Sequence, residues 1–410
     1  MRSLAGHVVL CIFSFGPFLG DGNAQELTLP GAIARFEREN QRGRAIQAQV
    51  RVRSAETRSW SLAPNPSATY TREDAAGAQD GFFLVQQSLP LSGRLRWMKR
   101  AGSSESSAAE AQAEFKLLSL RRDLRSAFYD LLAAQEREAL LEQATEQVRE
   151  VVRILRARET EGEGSKFDRL RAERELADIQ ASHASARVLL TRGQALLASF
   201  FATGTSPVSL RVQGTFAPAQ ELPALESLLD RARASRGDLL AGQRRLDRFA
   251  AERRAASRLR IPEPILSAGL KRSTIPGRAE NGYAVSVTVP IPLFNRGQVE
   301  SEVARYAEEQ TAAEVAASGQ EIETEVRAAY ETVRLKRRIA EQYARDLGRK
   351  SEELAGIAQV AYREGQQGIL ELLDAYRVGL FARLQSLELS ASARMAEIEL
   401  NRAVGAEVLP

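Results

Sequence analysis

A chain of 410 residues has room for two or three ordinary domains, but 27% charged and only 6% aromatic residues, with Ala, Glu, Arg and Leu dominant, is the composition of long helices or coiled coils rather than compact globules. The 57 basic and 53 acidic side chains nearly cancel, leaving a net charge of +4. That argues against a nucleic-acid binder with a concentrated basic face, so runs such as Arg253-Arg254 and Lys336-Arg337-Arg338 read as solvated helix surface.

Residues 1–24 read as an export signal. Arg2 supplies the positive start, Val8 to Leu19 the apolar core, and Gly22-Asn23-Ala24 a small-x-small cleavage site, so the mature chain is expected to begin at Gln25. The apolar run is too short for a bilayer span. Cys11 is the single cysteine, lies inside the signal and has no small-residue lipobox before it, so the mature protein is expected to lack disulfides and thiolate metal sites. No later segment approaches the ~18 apolar residues of a transmembrane helix.

The first half, residues 25–206, opens with a helix from Gly31 to Trp60 that ends at Pro64-Asn65-Pro66. A β-hairpin over 66–90 follows. Ala68, Tyr70 and Arg72 alternate with Ser67, Thr69 and Thr71, a turn lies at Asp74 to Asp80, and a second strand runs from Gly81 to Leu89. No proline then occurs until Pro207. Apolar residues recur at threes and fours: Leu117, Leu120, Leu124, Phe128 and Leu131, then Leu141, Ala144, Val148, Val151 and Leu155. This narrow stripe on charged helices is the coiled-coil pattern and predicts a helical hairpin over 94–203. Its first arm, Arg94 to Thr160, is ~100 Å long at the α-helical rise. The arm breaks at Glu161 to Gly164 and returns as Ser165 to Phe201.

A Pro-containing segment, 207–223, joins this half to the second, 224–410, which repeats the order. A helix from Leu225 to Leu259 ends at Pro262-Glu263-Pro264. In the hairpin over 264–292, Leu266, Ala268 and Leu270 alternate with Ser267, Gly269 and Lys271. Its turn is Ser273 to Glu280, centred on Pro276 and Gly277, and Tyr283, Val285, Val287 and Val289 then alternate with Ala284, Ser286 and Thr288. A second helical hairpin, 297–404, comprises Gln298 to Arg363, a break at Glu364 to Gly368, and Ile369 to Val404. Leu124-Arg125-Ser126-Ala127-Phe128 corresponds to Val326-Arg327-Ala328-Ala329-Tyr330.

In both halves the strand stops at proline and the helix starts at glycine: Pro90 with Gly93, and Pro290 and Pro292 with Gly297. Proline ends a strand ladder and glycine permits the change of direction, as expected of a hinge between a barrel wall and a helical tube. Strands of eight to ten residues suit a tilted membrane strand, although two hairpins packed on a soluble core would use the same pattern. Four strands cannot close a membrane barrel, so the chain must associate: two copies supply eight strands, three supply twelve. The fold class is mainly α with a small β part.

The two-fold repeat, four strands and proline-free hairpins resemble the TolC-type outer-membrane efflux factors over nearly all of the mature chain. The stretch Val289-Pro290-Ile291-Pro292-Leu293-Phe294-Asn295-Arg296-Gly297 is similar to the branch that serves heavy-metal pumps of the cobalt–zinc–cadmium type. The resemblance implies a homotrimer with a twelve-stranded barrel in outer-membrane lipid and a twelve-helix tunnel across the periplasm. An inner-membrane RND pump and a periplasmic adaptor (membrane fusion) protein dock at its lower end. It also implies that Glu371 and Asp374 line the periplasmic aperture, as rings of carboxylates favouring cations, and that Asp168 and Tyr362 form a closed-state latch. A further family restraint uses an arginine where this chain has Gln367, with Phe167 opposite, so the closed state is expected to be held differently here.

No catalytic, cofactor or metal motif accompanies these features; His183 is the only mature histidine, and Met98 and Met395 the only mature methionines. The expected function is a passive exit duct for heavy-metal cations. The alternatives are drug efflux or type I protein secretion through the same fold, and, from another class, a periplasmic coiled-coil adaptor.

Overall fold

The computed structural model describes residues 26–409 apart from positions 76, 219 and 276. The expected export signal with Cys11, the new N-terminus at Gln25 and the turn residue Pro276 lie outside the described residues. The elements run β1 (Leu27–Thr28), α1 (Leu29–Glu39), α2 (Gln41–Ser59), β2 (Ser67–Ala75), β3 (Ala78–Ser88), α3 (Arg94–Thr160) and α4 (Lys166–Ala198). A 3-10 turn (Pro207–Ser209) and β4 (Val212–Gln213) lead to α5 (Leu225–Ser235), α6 (Gly237–Ala256), β5 (Ile265–Ile275) and β6 (Arg278–Thr288). Then come α7 (Gln298–Tyr343), a π-helical turn (Ala344–Gly348), α8 (Arg349–Arg363) and α9 (Ile369–Val404). No helix among the described residues is long and apolar enough to cross a membrane.

The long helices form where proline is absent and Ala, Leu, Glu and Arg abound. Both helical tips close in the same way. Gly162 (φ 81°) and Gly365 (φ 72°) take the left-handed conformation, and the next N–H reaches five residues back, Glu163 to the Arg158 carbonyl and Gln366 to the Ala361 carbonyl, each at 2.9 Å. Ser165 then caps α4 by accepting from the Phe167 N–H at 3.2 Å.

Three features differ from the sequence expectation. First, each opening helix is two helices separated by one extended residue, Asn40 (ψ 115°) in the first half and Arg236 (ψ 108°) in the second. No proline marks these positions, and the one adjoining glycine, Gly237, is a weak signal inside a helical pattern. Second, the hairpin turns are tighter than expected. The strands run on to Ala75 and Ala78 and to Ile275 and Arg278, with Gly77 (φ 80°) and Gly277 (φ 88°) making the reversal. Asp74 and Asp80 are strand residues because cross-strand partners hold them. Asp74 accepts from the Gln79 amide at 2.8 Å, and Asp80 pairs with Lys271 at 2.8 Å. Third, the helix expected from Gln298 to Arg363 contains the π turn, whereas α3 runs unbroken for 67 residues.

The two hairpins join edge to edge through β3 and β5 in one antiparallel sheet, ordered β2-β3-β5-β6. The register aligns Tyr70, Phe83, Leu270 and Tyr283 in one row and Ala68, Val85, Ala268 and Val285 in the next. The joining segment is itself part of the core. β4 pairs in parallel with β1, and Leu210 and Val212 are buried with Phe128, Leu132, Phe200 and Phe201. A second apolar cluster gathers Leu228, Leu239, Val326, Leu400, Val404 and Leu409. A third, near the tips, gathers Val148, Val151, Leu155, Ile179, Leu372 and Leu373.

Candidate functional site: sheet faces, hinge and helical tip

Strand periodicity divides the sheet into two unlike faces. On one, Tyr70, Phe83, Val85, Leu270, Tyr283, Val285 and Val287 are all exposed, Tyr283 by 86%. The other is mixed: it carries Thr69, Thr71, Ser286, the Asp80–Lys271 pair and the buried Ser267, together with the half-buried Phe82 and Leu84. A soluble protein rarely leaves so broad an apolar face open to water. β5 and β6 are 11 residues each, enough for a tilted membrane crossing.

The hinge residues fall where the strands end. Pro90 and Pro292 each centre a three-residue turn: the Leu91 N–H donates to the Leu89 carbonyl at 2.8 Å and the Leu293 N–H to the Ile291 carbonyl at 2.9 Å. Pro290 lies two residues beyond the end of β6. Gly93 (φ 72°) and Gly297 (φ 83°) are the left-handed caps of α3 and α7. A small polar side chain steadies each turn. Ser92 Oγ accepts from the Arg94 N–H at 3.2 Å and donates to Glu263. Asn295 Oδ1 accepts from the Gly297 N–H at 2.8 Å while its amide donates to Glu300 at 3.1 Å. The hinge is also apolar on its outer side: Leu91, Ile291, Leu293 and Phe294 are exposed, Phe294 by 90%, and they prolong the apolar sheet face toward the helices.

Below the hinge, Glu105 of α3 is buried and gripped by two arginines. Arg53 Nη2 of α2 lies 2.6 Å from one carboxylate oxygen and Arg248 Nη1 of α6 2.9 Å from the other. Burial opposes its charge, but the two guanidinium hydrogen bonds outweigh burial and hold its pKa below the usual carboxylate value.

At the tip, Glu371 and Asp374 are both exposed on α9, whereas Ile369, Leu372, Leu373 and Ala375 are buried. Asp374 accepts from Arg377 at 2.6 Å, so part of the acidic charge is matched within its own helix. Asp168 sits partly buried in the first turn of α4. Tyr362 is partly buried near the end of α8, packed on the tip cluster that contains Ala172. Within the single chain no hydrogen bond among the described residues joins Asp168 to Tyr362. Tyr362 instead faces the guanidinium of Arg158, 5.9 Å from its ring centre. Gln367 is exposed in the second tip turn and Phe167 is exposed opposite it in sequence order, at the start of α4. Arg156 and Arg169 pin the first hairpin by reaching Glu173 at 2.7 Å and 2.8 Å, and Arg169 also pairs with Glu159. Their hydrogen bonds keep the Glu173 pKa low.

Among the described residues no cluster of three or more His, Cys, Asp or Glu could hold a metal ion, and His183 pairs with Glu138 at 3.1 Å. The arrangement supplies two-faced strands, a rigid turn and long paired helices, which is equipment for conduction.

Comparison with known proteins agrees. Residues 39–202 and 228–406 match the outer membrane efflux protein family. The chain is similar to the cobalt-zinc-cadmium resistance protein CzcC of Cupriavidus metallidurans, with 24% identity over 346 residues, 83% of this chain and 81% of that one. Among solved structures it resembles a membrane protein from Pseudomonas aeruginosa (20% identity, TM-score 0.75, 92% of this chain and 93% of that one). It also resembles CusC (17%, 0.74, 92% and 92%) and the outer membrane protein VceC of Vibrio cholerae (16%, 0.72, 92% and 96%).

Proposed function

The chain belongs to the outer membrane efflux protein family, and from that premise we propose that it is the exit duct of a tripartite RND-type system that exports heavy-metal cations. Three copies supply twelve strands to a barrel in outer-membrane lipid and continue as a helical tunnel through the periplasm. A periplasmic adaptor and an inner-membrane pump meet the tunnel at its tip and provide the energy. The observation that carries this reading is the exposed apolar face of the four-stranded sheet, backed by a more polar one, with both outer edges, β2 and β6, unpaired among the described residues. A soluble coiled-coil adaptor would leave that face unexplained.

The metal cargo is supported by the Val289–Gly297 stretch and by the likeness to the cobalt-zinc-cadmium resistance protein. Acidic rings at Glu371 and Asp374 in a three-fold assembly would favour cations at the aperture. In the assembled closed state Asp168 and Tyr362 restrain the tip, and the Arg158–Tyr362 contact contributes the restraint that Gln367 does not.

Two measurements test the proposal. Channels of the Asp168→Ala/Tyr362→Phe double variant in planar bilayers should conduct more than the parent; equal conductance removes the latch. A strain lacking the protein should lose tolerance to divalent metals; unchanged metal tolerance with increased drug sensitivity, or with a lost secreted protein, assigns the duct to one of those cargoes instead.

A further inference from the structure

We propose that the outward sheet face carries a binding site for a phosphorylated lipid headgroup, built by Arg72, Arg272 and Tyr70 around Gly81. The proposal rests on the barrel reading above and adds a ligand and its residues to it.

The register creates the site. Arg72 on β2 and Arg272 on β5 are both partners of Gly81 on β3, one on each side. With strands ~4.8 Å apart, the two arginine backbones stand about 10 Å from each other. All three positions share the face of Tyr70, Phe83, Leu270 and Tyr283, one register step nearer the turns. Gly81 contributes no side chain, so the space between the arginines stays open. It is part of a depression of about 710 Å³ that is also lined by Tyr70, Phe83, Leu270 and Asn281 and by the mutually neutralising Asp80–Lys271 pair. The Tyr70 ring leans over the glycine, with its hydroxyl 3.6 Å from where a Cβ on Gly81 would stand. Two guanidinium groups and a phenol O–H therefore surround one gap.

Charge pairing favours an external anion. Arg72 donates to the Gln79 side-chain oxygen at 2.8 Å, a neutral partner that fixes its position, and makes no direct ion pair with Asp74, which the same Gln79 holds. Arg272 has no acidic partner among the described residues. On the opposite face at this level Lys271 is matched by Asp80 at 2.8 Å, and Arg278 near the turn is matched by Glu280 at 2.7 Å. The one acid on the outward face nearby, Asp74, lies a further step toward the turn and is occupied by the Gln79 amide at 2.8 Å.

Depth identifies the anion. Below the arginines come the aromatic row, then Val85 and Val285, then Leu266 and Val287, all exposed. In a barrel, aromatics mark the membrane–water boundary, so the arginine row sits at headgroup level. Arginine pairs with phosphate oxygens through two parallel hydrogen bonds, and two arginines suit a doubly charged phosphomonoester. The ligand is thus a lipid whose headgroup bears a phosphomonoester.

The test uses the full oligomer in phosphatidylcholine nanodiscs with a minor fraction of phosphatidic acid, and counts retained lipids by native mass spectrometry. The parent should enrich phosphatidic acid. Arg72→Gln and Arg272→Gln should each lower that enrichment ~5-fold, while Arg278→Gln leaves it unchanged. Undiminished enrichment in the Arg72→Gln/Arg272→Gln double variant, inserted as well as the parent, overturns the site. So does displacement of the lipid by inorganic phosphate alone, which would make this a site for free anions. A parent that never enters the bilayer sinks the barrel reading itself, and this site with it.

Discussion

In the first half of the chain the opening helix breaks at Asn40; in the second it breaks at Arg236. Both residues are buried, and both reach the end of the returning helical arm of their own half. Asn40 donates to the Phe200 carbonyl at 2.9 Å and caps α2 by accepting from the Gly43 N–H at 2.8 Å. Arg236 donates to the Ala403 carbonyl at 2.9 Å, pairs with Asp238 and Glu325 at 2.7 Å each, and lies 4.9 Å from the Phe115 ring centre. The hinge glycines diverge in the same direction. A Cβ on Gly93 would meet nothing within 4 Å, but one on Gly297 would stand 2.0 Å from the Ala256 carbonyl oxygen. One backbone plan is thus fastened by a neutral cap and an open turn in the first half, and by a buried charge and a crowded turn in the second. The second half leaves less room for change.

The widest gap should separate Arg236→Ala from Asn40→Ala. Removing the arginine leaves Asp238 and a carbonyl without their partner and Glu325 with Arg402 alone, and should cost about 3 kcal/mol, whereas losing the asparagine cap should cost about 1–2 kcal/mol. Thermal unfolding of the purified oligomers measures both, and equal shifts would erase the contrast. Next, Gly297→Ala combines left-handed strain with a backbone clash and should cost about 3 kcal/mol, against about 1 kcal/mol for Gly93→Ala. If the Gly93 variant proves the weaker, the crowding at Ala256 is irrelevant.

A smaller effect tests the acids below the hinges. Glu105 has two close arginines, whereas Glu308, at a similar distance beyond Gly297, has Arg253 at 3.5 Å without a hydrogen bond. Because the Glu105 pKa is lowered in the folded state, its contribution is present above the ordinary carboxylate value of about 4.3 and is lost as pH falls through the depressed one. Glu105→Gln should therefore remove about 2 kcal/mol at neutral pH and flatten the acid limb of the stability curve. Glu308→Gln should shift stability by under about 0.5 kcal/mol at any pH.

How far the sequence could be read follows from the same particulars. The alternation through Tyr283, Val285 and Val287 and the proline-free stretches are periodic signals, and they located the strands and long helices. The prolines and glycines of the hinges were legible because those residues carry their backbone preferences with them. The breaks at Asn40 and Arg236 were not, since each depends on a carbonyl more than 150 residues away. The π turn leaves composition and spacing untouched. At the tip, the sequence could point to Glu371, Asp374, Asp168 and Tyr362 through resemblance, but not to Arg377 beside Asp374 or Arg158 against Tyr362, which are matters of packing.

The long-range closures at Phe200 and Ala403 also set a timetable. A chain synthesised from its N-terminus can fasten its first opening helix once residue 200 is available, with half the protein still unmade. The second opening helix must wait for residue 403, within the last turn of α9. A chain cut short before residue 403 would have one half finished and the other gaping, the sort of substrate that housekeeping proteases cut first.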